Sequence, residues 1–455
     1  MSHGFGVTPR AMTFLPPKTR RRAIFTLGLP IIAGMLSQNI LNIVDTAMVG
    51  TLGDVALAAT GLGGFANFMA VSFIMGLSSG VQAISARRLG ENRHDVLAVA
   101  LNAGLLFAFI WAVPWTWLLH WASPAIFAFL IDDPAVVAEG VPYLQVRLLS
   151  AFAVGINSAF RGYWNGINRP QLYMRTLIVS HITNLILNWV LIYGNLGAPA
   201  MGTFGAGLAS AIATYVGALT YLFLGFQQAR GNGFLTIRPN QAIFKTLAQL
   251  TLPAGFAQFS LATGYTALMW IVAKTGTASV AAANVLLNVT LVTILPGIAF
   301  GLVAASMVGQ ALGRKDPDDA ARWGWDVVRV ATLVLGIMGV PMIVVPDLIL
   351  SGFLHDPDTL ELAVIPLQLV GATIGVDAIG LVLLNALYGA GASRRVLLVG
   401  TGMQWGIGLP LAYIFGPILG WGLAWVWGAM MLYRCGQALV FSIMWKNRGW
   451  ANIAV

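Results

Sequence analysis

Residues 24–50 read IFTLGLPIIAGMLSQNILNIVDTAMVG, with Asp45 the only charged side chain among them. A stretch of about 20 mostly apolar residues is enough to cross a bilayer as a helix. This one is too long for the core of a signal peptide and lacks a small-residue cleavage site, although Lys18, Arg20, Arg21 and Arg22 precede it. It therefore reads as a first membrane span. The whole chain of 455 residues agrees, being 58% hydrophobic and only 9% charged, with a mean hydropathy of +0.80. Soluble domains carry about 25% charged residues, so no water-soluble surface can be built from this composition. The single cysteine, Cys435, excludes an internal disulfide, an iron–sulfur cluster or a cysteine zinc site. Five scattered histidines do not suggest a metal enzyme. The net charge of +9 is assigned to loop arginines and lysines that orient a membrane protein, and not to nucleic-acid binding.

Working outward, the chain divides into twelve apolar segments, near 24–49, 55–86, 96–120, 136–161, 170–194, 204–228, 244–272, 279–310, 326–350, 360–388, 395–416 and 419–445. Turn-forming clusters such as Gly50–Gly53 and Asp132–Pro134 separate them. The even-numbered connectors carry Arg87, Arg88 and Arg93, then Arg161 and Arg169, then Arg230 and Arg238, then Arg314, Lys315 and Arg322, then Arg394 and Arg395. The odd-numbered connectors hold Lys274 and otherwise acids, namely Asp54, Asp132, Asp133, Glu139, Asp356, Asp358 and Glu361. Basic loops face the cytoplasm, so both termini are expected there. The expected organisation is a cytoplasmic tail (1–23), a six-helix lobe (24–228), a cytoplasmic connector (229–243), a second six-helix lobe (244–445) and a cytoplasmic C-terminal tail (446–455).

The two halves repeat. Pro30 answers Pro253, Gly53 answers Gly276, Ala58-Ala59 answers Ala281-Ala282, and Leu89-Gly90 answers Leu312-Gly313, all at one offset of 223. Farther on, Asp132 answers Asp356 and Pro142 answers Pro366, while Gly207-Leu208-Ala209 answers Gly422-Leu423-Ala424. An even number of helices per repeat makes the halves parallel. Such folds place a pathway between or within the repeats and work by alternating access.

Charges inside a membrane are costly and by default functional. Two carboxylates lie well inside predicted spans, Asp45 and Asp377, and the repeat explains neither, since Asp45 corresponds to Leu268 and Asp377 to Ala153. Gln38, Asn42 and Asp45 share one face of predicted helix 1, in which Pro30 is expected to produce a bend. His181, Asn184 and Asn188 form a polar stripe on helix 5, with Ser210 on helix 6 placed to approach it. An acid with amide oxygens suits a proton or a sodium ion, with Asp45 the possible sodium ligand. The alternative for the amides is hydrogen-bonded glue between helices. In the second half, Thr373 and Asp377 are four residues apart on helix 10, and Asn284 and Asn288 four apart on helix 8. Two roles stand open for Asp377: a cation or substrate site, which we favour, or a structural partner for an intramembrane arginine such as Arg434. Arg147 also lies within a predicted span.

These residues resemble a known pattern. Pro30 through Asp45-Thr-Ala-Met-Val-Gly50, Leu52-Gly53 and Leu57-Ala58-Ala59 is similar to the first helix pair of the multidrug and toxic compound extrusion (MATE) transporters. So are Arg161-Gly162 to Arg169-Pro170, Asn184-Leu-Ile-Leu-Asn188, Gly205-Ala-Gly-Leu-Ala-Ser210, Asp377-Ala-Ile and Gly389-Ala-Gly391-Ala-Ser-Arg394. The resemblance covers nearly the whole chain. It implies an all-α polytopic membrane fold of twelve helices in two parallel repeats, and an efflux carrier in place of an enzyme. Asp45 then matches the helix 1 acid of a first-lobe cation site, Asn184 its helix 5 asparagine, and Asp377 the helix 10 acid of NorM-like members. Asn188 stands where the DinF-like branch often has aspartate, and Leu261 falls near the helix 7 glutamate of the NorM-like branch. The resemblance implies export of amphipathic, often cationic small molecules from a plasma-membrane monomer. The coupling ion would be H+ or Na+, with no cofactor. A flippase for a lipid-linked precursor, from the same superfamily, is the alternative. An intramembrane aspartyl protease lacks its Gly-x-Gly-Asp run, since the acids sit in Val44-Asp45-Thr46 and Val376-Asp377-Ala378. No Gly-Lys-Ser/Thr nucleotide loop is present.

Overall fold

Helix ends in this chain are set by short polar signals between apolar runs. Asp133 accepts a hydrogen bond from the Ala135 amide with Pro134 in the first turn. Asp356 does the same for Thr359 with Pro357 following. The two caps open corresponding helices of the two halves, and an acceptor at the cap with proline just inside is a strong helix start. Gly53 and Gly276, also equivalents, precede two further helices at φ 107° and 129°. An L side chain is strained in that backbone region.

The computed structural model describes residues 15–455, so residues 1–14 of the expected tail lie outside the described residues. Twelve long helical rods follow. They are α1 (Lys18–Gly50), α2 (Asp54–Gly90), α3 (Val99–Leu130), α4 in two pieces (Pro134–Leu148 and Ala151–Gly166), α5 (Pro170–Tyr193) and α6 (Gly202–Gln228). The second half has α7 (Gln241–Ala273), α8 (Thr277–Gly313), α9 (Pro317–Val344), α10 (Pro357–Gly389), α11 (Ser393–Ile418) and α12 (Leu423–Lys446). Ten of them are long and apolar enough to cross a membrane on those grounds alone. The others are α4, broken at Leu149–Ser150, and α12, whose tryptophans, glycines and Arg434 lower its hydropathy. Helix α1 starts at Lys18, inside the segment expected to be tail, and runs unbroken through Pro30. Helix α9 starts nine residues before the apolar run at 326, because Asp316 caps it and Pro317 opens it. Apolarity marks where a rod meets lipid, whereas caps mark where it begins. Helix α11 contains two π-helical stretches, Gln404–Gly408 and Ile414–Ile418.

Each half packs in the same order. The α2–α4 contact of the first half recurs as α8–α10 in the second, and α5–α6 recurs as α11–α12. The halves meet along one end. Gln82 Nε2 donates to the Leu302 carbonyl (2.8 Å) and to Ser306 Oγ (2.9 Å), and Gln310 Nε2 donates to the Gly166 carbonyl (3.1 Å) and Asn168 Oδ1 (2.9 Å). The repeat-related glycines Gly90 and Gly313 are at this join. A Cβ on Gly90 would lie 2.0 Å from the Gln310 carbonyl oxygen, and one on Gly313 2.2 Å from that of Arg87. Arg20 on α1 reaches across to Asp319 and Asp326 on α9, the latter at 2.7 Å, and lies over the Trp323 ring. A buried core around Leu77, Val81, Leu101 and Phe160 also takes in Leu247, Ala299 and Val303 of the second half. The join reaches mid-helix, where the rings of Phe73 and Phe256 meet at 5.1 Å; beyond it, near Gly53 and Gly276, no hydrogen bond, ion pair or ring contact joins the halves among the described residues. There Ile40, Ile43, Asn284 and Asn288 are exposed. The lobes thus form a V, closed at the arginine-bearing end and open at the other.

Candidate functional site

Asp45 lies toward the open end of α1, facing α5. Positions 184 and 188 of α5 are one turn apart and project together, so both amides meet the same carboxylate. Asn188 Nδ2 donates to Asp45 Oδ1 at 2.7 Å and lies 3.2 Å from Asn184 Oδ1, and Asn184 Nδ2 lies 3.2 Å from Ser210 Oγ on α6. With the Asn184 amide turned over, its nitrogen donates to Asp45 Oδ1 at 2.9 Å and its oxygen accepts from Ser210 Oγ at 3.2 Å. That orientation pairs both ends of the amide with complementary groups. Asn188 Oδ1 is buried without a hydrogen-bond partner. A cavity of about 110 Å³ opens here, lined by Asp45, Thr46, Thr60, Tyr143, Asn188 and Ser210 among others. It suits a water or a small ion, because pockets for drug-sized ligands run to about 300–1,000 Å³. Arg147 on α4 adds a positive charge that acts on Asp45. Arg147 has no ion pair among the described residues, and its Nε is buried without a partner.

Of the residues expected at this site, Asp45, Asn184, Asn188 and Ser210 come together. Gln38 and Asn42 form a separate patch: Gln38 Nε2 donates to Asn42 Oδ1 (3.1 Å), and His181 bridges Gln38 Oε1 (3.0 Å) and Ser37 Oγ (3.2 Å). That patch ties α1 to α5, and no hydrogen bond carries it to Asp45 among the described residues. Tyr143 and Thr60, which complete the cavity wall, are uncharged members of apolar helices, and nothing in the sequence pattern singles them out.

The second-lobe set does not assemble. Asp377, 7% exposed, is gripped by Arg434 of α12, whose Nε donates to Oδ1 at 2.9 Å while a terminal nitrogen bonds Oδ2. A bidentate guanidinium therefore occupies both oxygens of this carboxylate, the contact expected of a structural partner. Thr373 bonds its own helix at Leu369 and the Met431 sulfur, and not Asp377. Asn284 and Asn288 each donate to the carbonyl four residues earlier and are exposed at the open end of α8. The sequence reading also missed the Arg20–Asp319–Asp326 cluster. The signal available was Asp326, an acid at the first position of an apolar run. No group of three or more His, Cys, Asp or Glu side chains that could hold a metal is present among the described residues.

Two parallel helical lobes joined at one end, with one amide-held acid near the mouth of the cleft, define a polytopic membrane carrier. The MatE family model matches residues 30–190 and again 253–414, the same 223-residue step as the internal repeat. The chain belongs to this family and is an integral multi-pass MATE family transporter, not an enzyme. It is 27% identical over 435 residues to "Probable multidrug resistance protein NorM" of Brucella suis biovar 1, covering 92% of each chain. It is also 27% identical to "Multidrug resistance protein NorM" of Burkholderia vietnamiensis, over 98% of this chain and 97% of that one. Among solved structures it resembles one described as the outward-facing conformation of a multidrug resistance MATE family transporter, with a TM-score of 0.85, 22% identity, and coverage of 97% of this chain and 98% of that one.

Proposed function

We propose that this transporter exports amphipathic, often cationic compounds in exchange for protons or sodium ions entering the cell, with Asp45 as the group where ion and substrate compete. One observation carries the reading: Asp45 is held by neutral amides beside a small cavity, whereas Asp377 is held by a guanidinium. A carboxylate bonded by amides can exchange a proton, a sodium ion or an organic cation without breaking an ion pair. The unpaired oxygen of Asn188 offers a second ligand to a small cation. In the cycle we propose, an ion arriving from outside neutralises Asp45 and releases the substrate. Losing that ion to the cytoplasm restores the charge that binds the next one. Each positive charge that enters gains about 2.3 kcal/mol per 100 mV, and each that is exported with the substrate costs as much. The drug itself occupies the open cleft, since the 110 Å³ cavity is too small for it. The names of the NorM relatives support the substrate class.

The arginine-rich connectors support our reading that both termini and residues 229–243 are cytoplasmic in a plasma-membrane protein, which we propose works as a monomer. In that orientation the V is open to the outside, as in the outward-facing relative. The flippase alternative calls for a basic cavity. Arg434 is engaged by Asp377, which leaves Arg147 as the candidate to supply one.

The test is efflux of a fluorescent cation from proteoliposomes under separately imposed proton and sodium gradients. Export should follow one gradient in the native protein and neither in Asp45→Asn; gradient-driven export by the variant would refute the role of Asp45. Topology has its own test. Gly231 has open space around it, so Gly231→Cys is accommodated, and an impermeant thiol reagent should label it only from the cytoplasmic side.

A further inference from the structure

A second, larger cavity lies at the closed end, away from the transport cleft. It measures about 530 Å³ and sits between α9 and α12, with Arg322, Trp325, Arg329, Trp445, Lys446 and Arg448 on its walls. Two acids, Asp318 and Asp326, also line it, and their commitments decide what charge is left over. Asp318 pairs with Arg448 at 2.5 Å. Asp326 is shared between Arg329 (3.2 Å) and Arg20 (2.7 Å) from the other lobe. Arg322 comes no nearer to a carboxylate than 3.7 Å, from Asp319 outside the cavity wall. Lys446 forms no ion pair among the described residues. Guanidinium groups have five N–H donors each, so the cavity retains several donors and net positive charge.

Its floor is rigid. Trp445 is 1% exposed and stacks on Trp450 at 4.1 Å between ring centroids, while the Trp450 indole donates to the Trp445 carbonyl at 2.9 Å. Directly along the same helix faces, one or two turns deeper, the surface becomes apolar and exposed. Leu333 and Ile337 continue the face of Arg322 and Arg329 on α9, and Leu439 and Ile443 continue that of Lys446 on α12.

We infer that this cavity binds the phosphate headgroup of an anionic phospholipid, whose acyl chains lie along the exposed apolar stripe beneath it. The shared chemistry of lipid headgroups and soluble phosphates is a phosphate oxyanion, which arginine matches in a bidentate fashion. The stripe selects the lipid, because a free phosphate has no use for it. Basic pockets between membrane helices at the cytoplasmic surface hold anionic headgroups on the same grounds. The inference does not depend on which compounds the carrier exports.

The test uses the full chain, delipidated in detergent, with native mass spectrometry during titration with phosphatidylglycerol or phosphatidylcholine. The native protein should retain phosphatidylglycerol preferentially, and inorganic phosphate should not displace it. Arg322→Gln with Lys446→Gln should cut that preference roughly 30-fold, at about 1 kcal/mol per basic residue. Arg93→Gln, which removes an exposed arginine on another connector, should leave it intact. If the double variant does not fold, Lys446→Gln alone, at an exposed helix end, should give a roughly fivefold loss. Equal retention of the two lipids by the native protein would overturn the proposal. So would displacement by inorganic phosphate, an equal loss in Arg93→Gln, or full preference in the folded double variant.

Discussion

The two lobes each hold one intramembrane aspartate, and the partners differ. Asp45 is met by amides of Asn184 and Asn188, with Arg147 acting on it without an ion pair. Asp377 is met by both arms of Arg434. The first arrangement leaves the carboxylate free to change its charge partner. The second fixes α10 to α12. A buried charge with its opposite in bidentate contact is difficult to titrate or ligate, since removing either partner strands the other. The lesson is that two acids within membrane helices can have opposite surroundings, amides for one and a guanidinium for the other, and the residue type alone does not decide which.

The largest effect expected from this contrast is at Asp45. Asp45→Asn keeps the shape and the contacts with Asn188 but cannot carry a proton or balance a cation. Gradient-driven export should fall to background while the melting temperature in detergent stays near that of the native protein. If the variant instead melts early and the surviving fraction still transports, the contrast between the lobes is reversed.

Next comes Asp377→Asn, which should leave Arg434 stranded and cost about 3–5 kcal/mol, typical of breaking a buried ion pair. Poor expression and a depressed melting temperature are the readouts. The double variant Asp377→Leu with Arg434→Met removes both charges and should recover most of the loss. Normal stability with weakened cation binding in Asp377→Asn would restore a binding role for the second lobe.

The third effect concerns the join that lets the first lobe's cleft open. Arg20→Gln loses charge-assisted bonds to Asp319 and Asp326, worth about 1.5–3 kcal/mol. The lobes should then separate more readily at the arginine-rich end. Spin labels at Arg93→Cys and Lys315→Cys, in a Cys435→Ser background, should show a larger population of long distances. An unchanged distribution would mean that Gln82, Gln310 and the glycine contacts hold the join without Arg20.

What could be read in advance follows from how each feature is encoded. The repeat, the helix count and the Asp45–Asn184–Asn188–Ser210 cluster depend on spacing within helices and on charge that has no local partner, and sequence displays both. The Asp377–Arg434 pair spans 57 residues, and nothing in helical periodicity says which of two arginines a buried acid will meet. Arg434 was visible as a possible partner, but its register against α10 depends on packing between helices. Gln38 and Asn42 show the converse. They share a helix face with Asp45, yet His181 engages their patch before it reaches the acid. The beginnings of α1 and α9 ran beyond the apolar runs because lipid contact ends before the helix does.

The smallest effect sharpens the comparison between lobes at the caps of α4 and α10, the corresponding helices of the two halves. Asp133 accepts from one backbone amide. Asp356 accepts from the Thr359 amide at 3.1 Å and from the Thr359 hydroxyl at 2.5 Å. The Thr359 hydroxyl and amide hold the Asp356 carboxyl below the usual carboxylate range. The sign follows: the folded state favours the ionised form, so the cap's contribution is complete above the unfolded value of about 3.9. It is lost as the pH falls through the lower folded value. Acidification should therefore fray the first turn of α10, and amide exchange at Leu360 and Glu361 is the measurement. Asp356→Asn keeps an acceptor for the Thr359 amide but cannot be protonated in this range. Its exchange protection should be nearly flat over the same pH interval, while the native protein loses protection. The effect is local and small because the site is exposed to solvent. If α10 in the Asn variant frayed with acid as the native helix does, another group would control this end of the second lobe, and the cap would not be the source of its pH dependence.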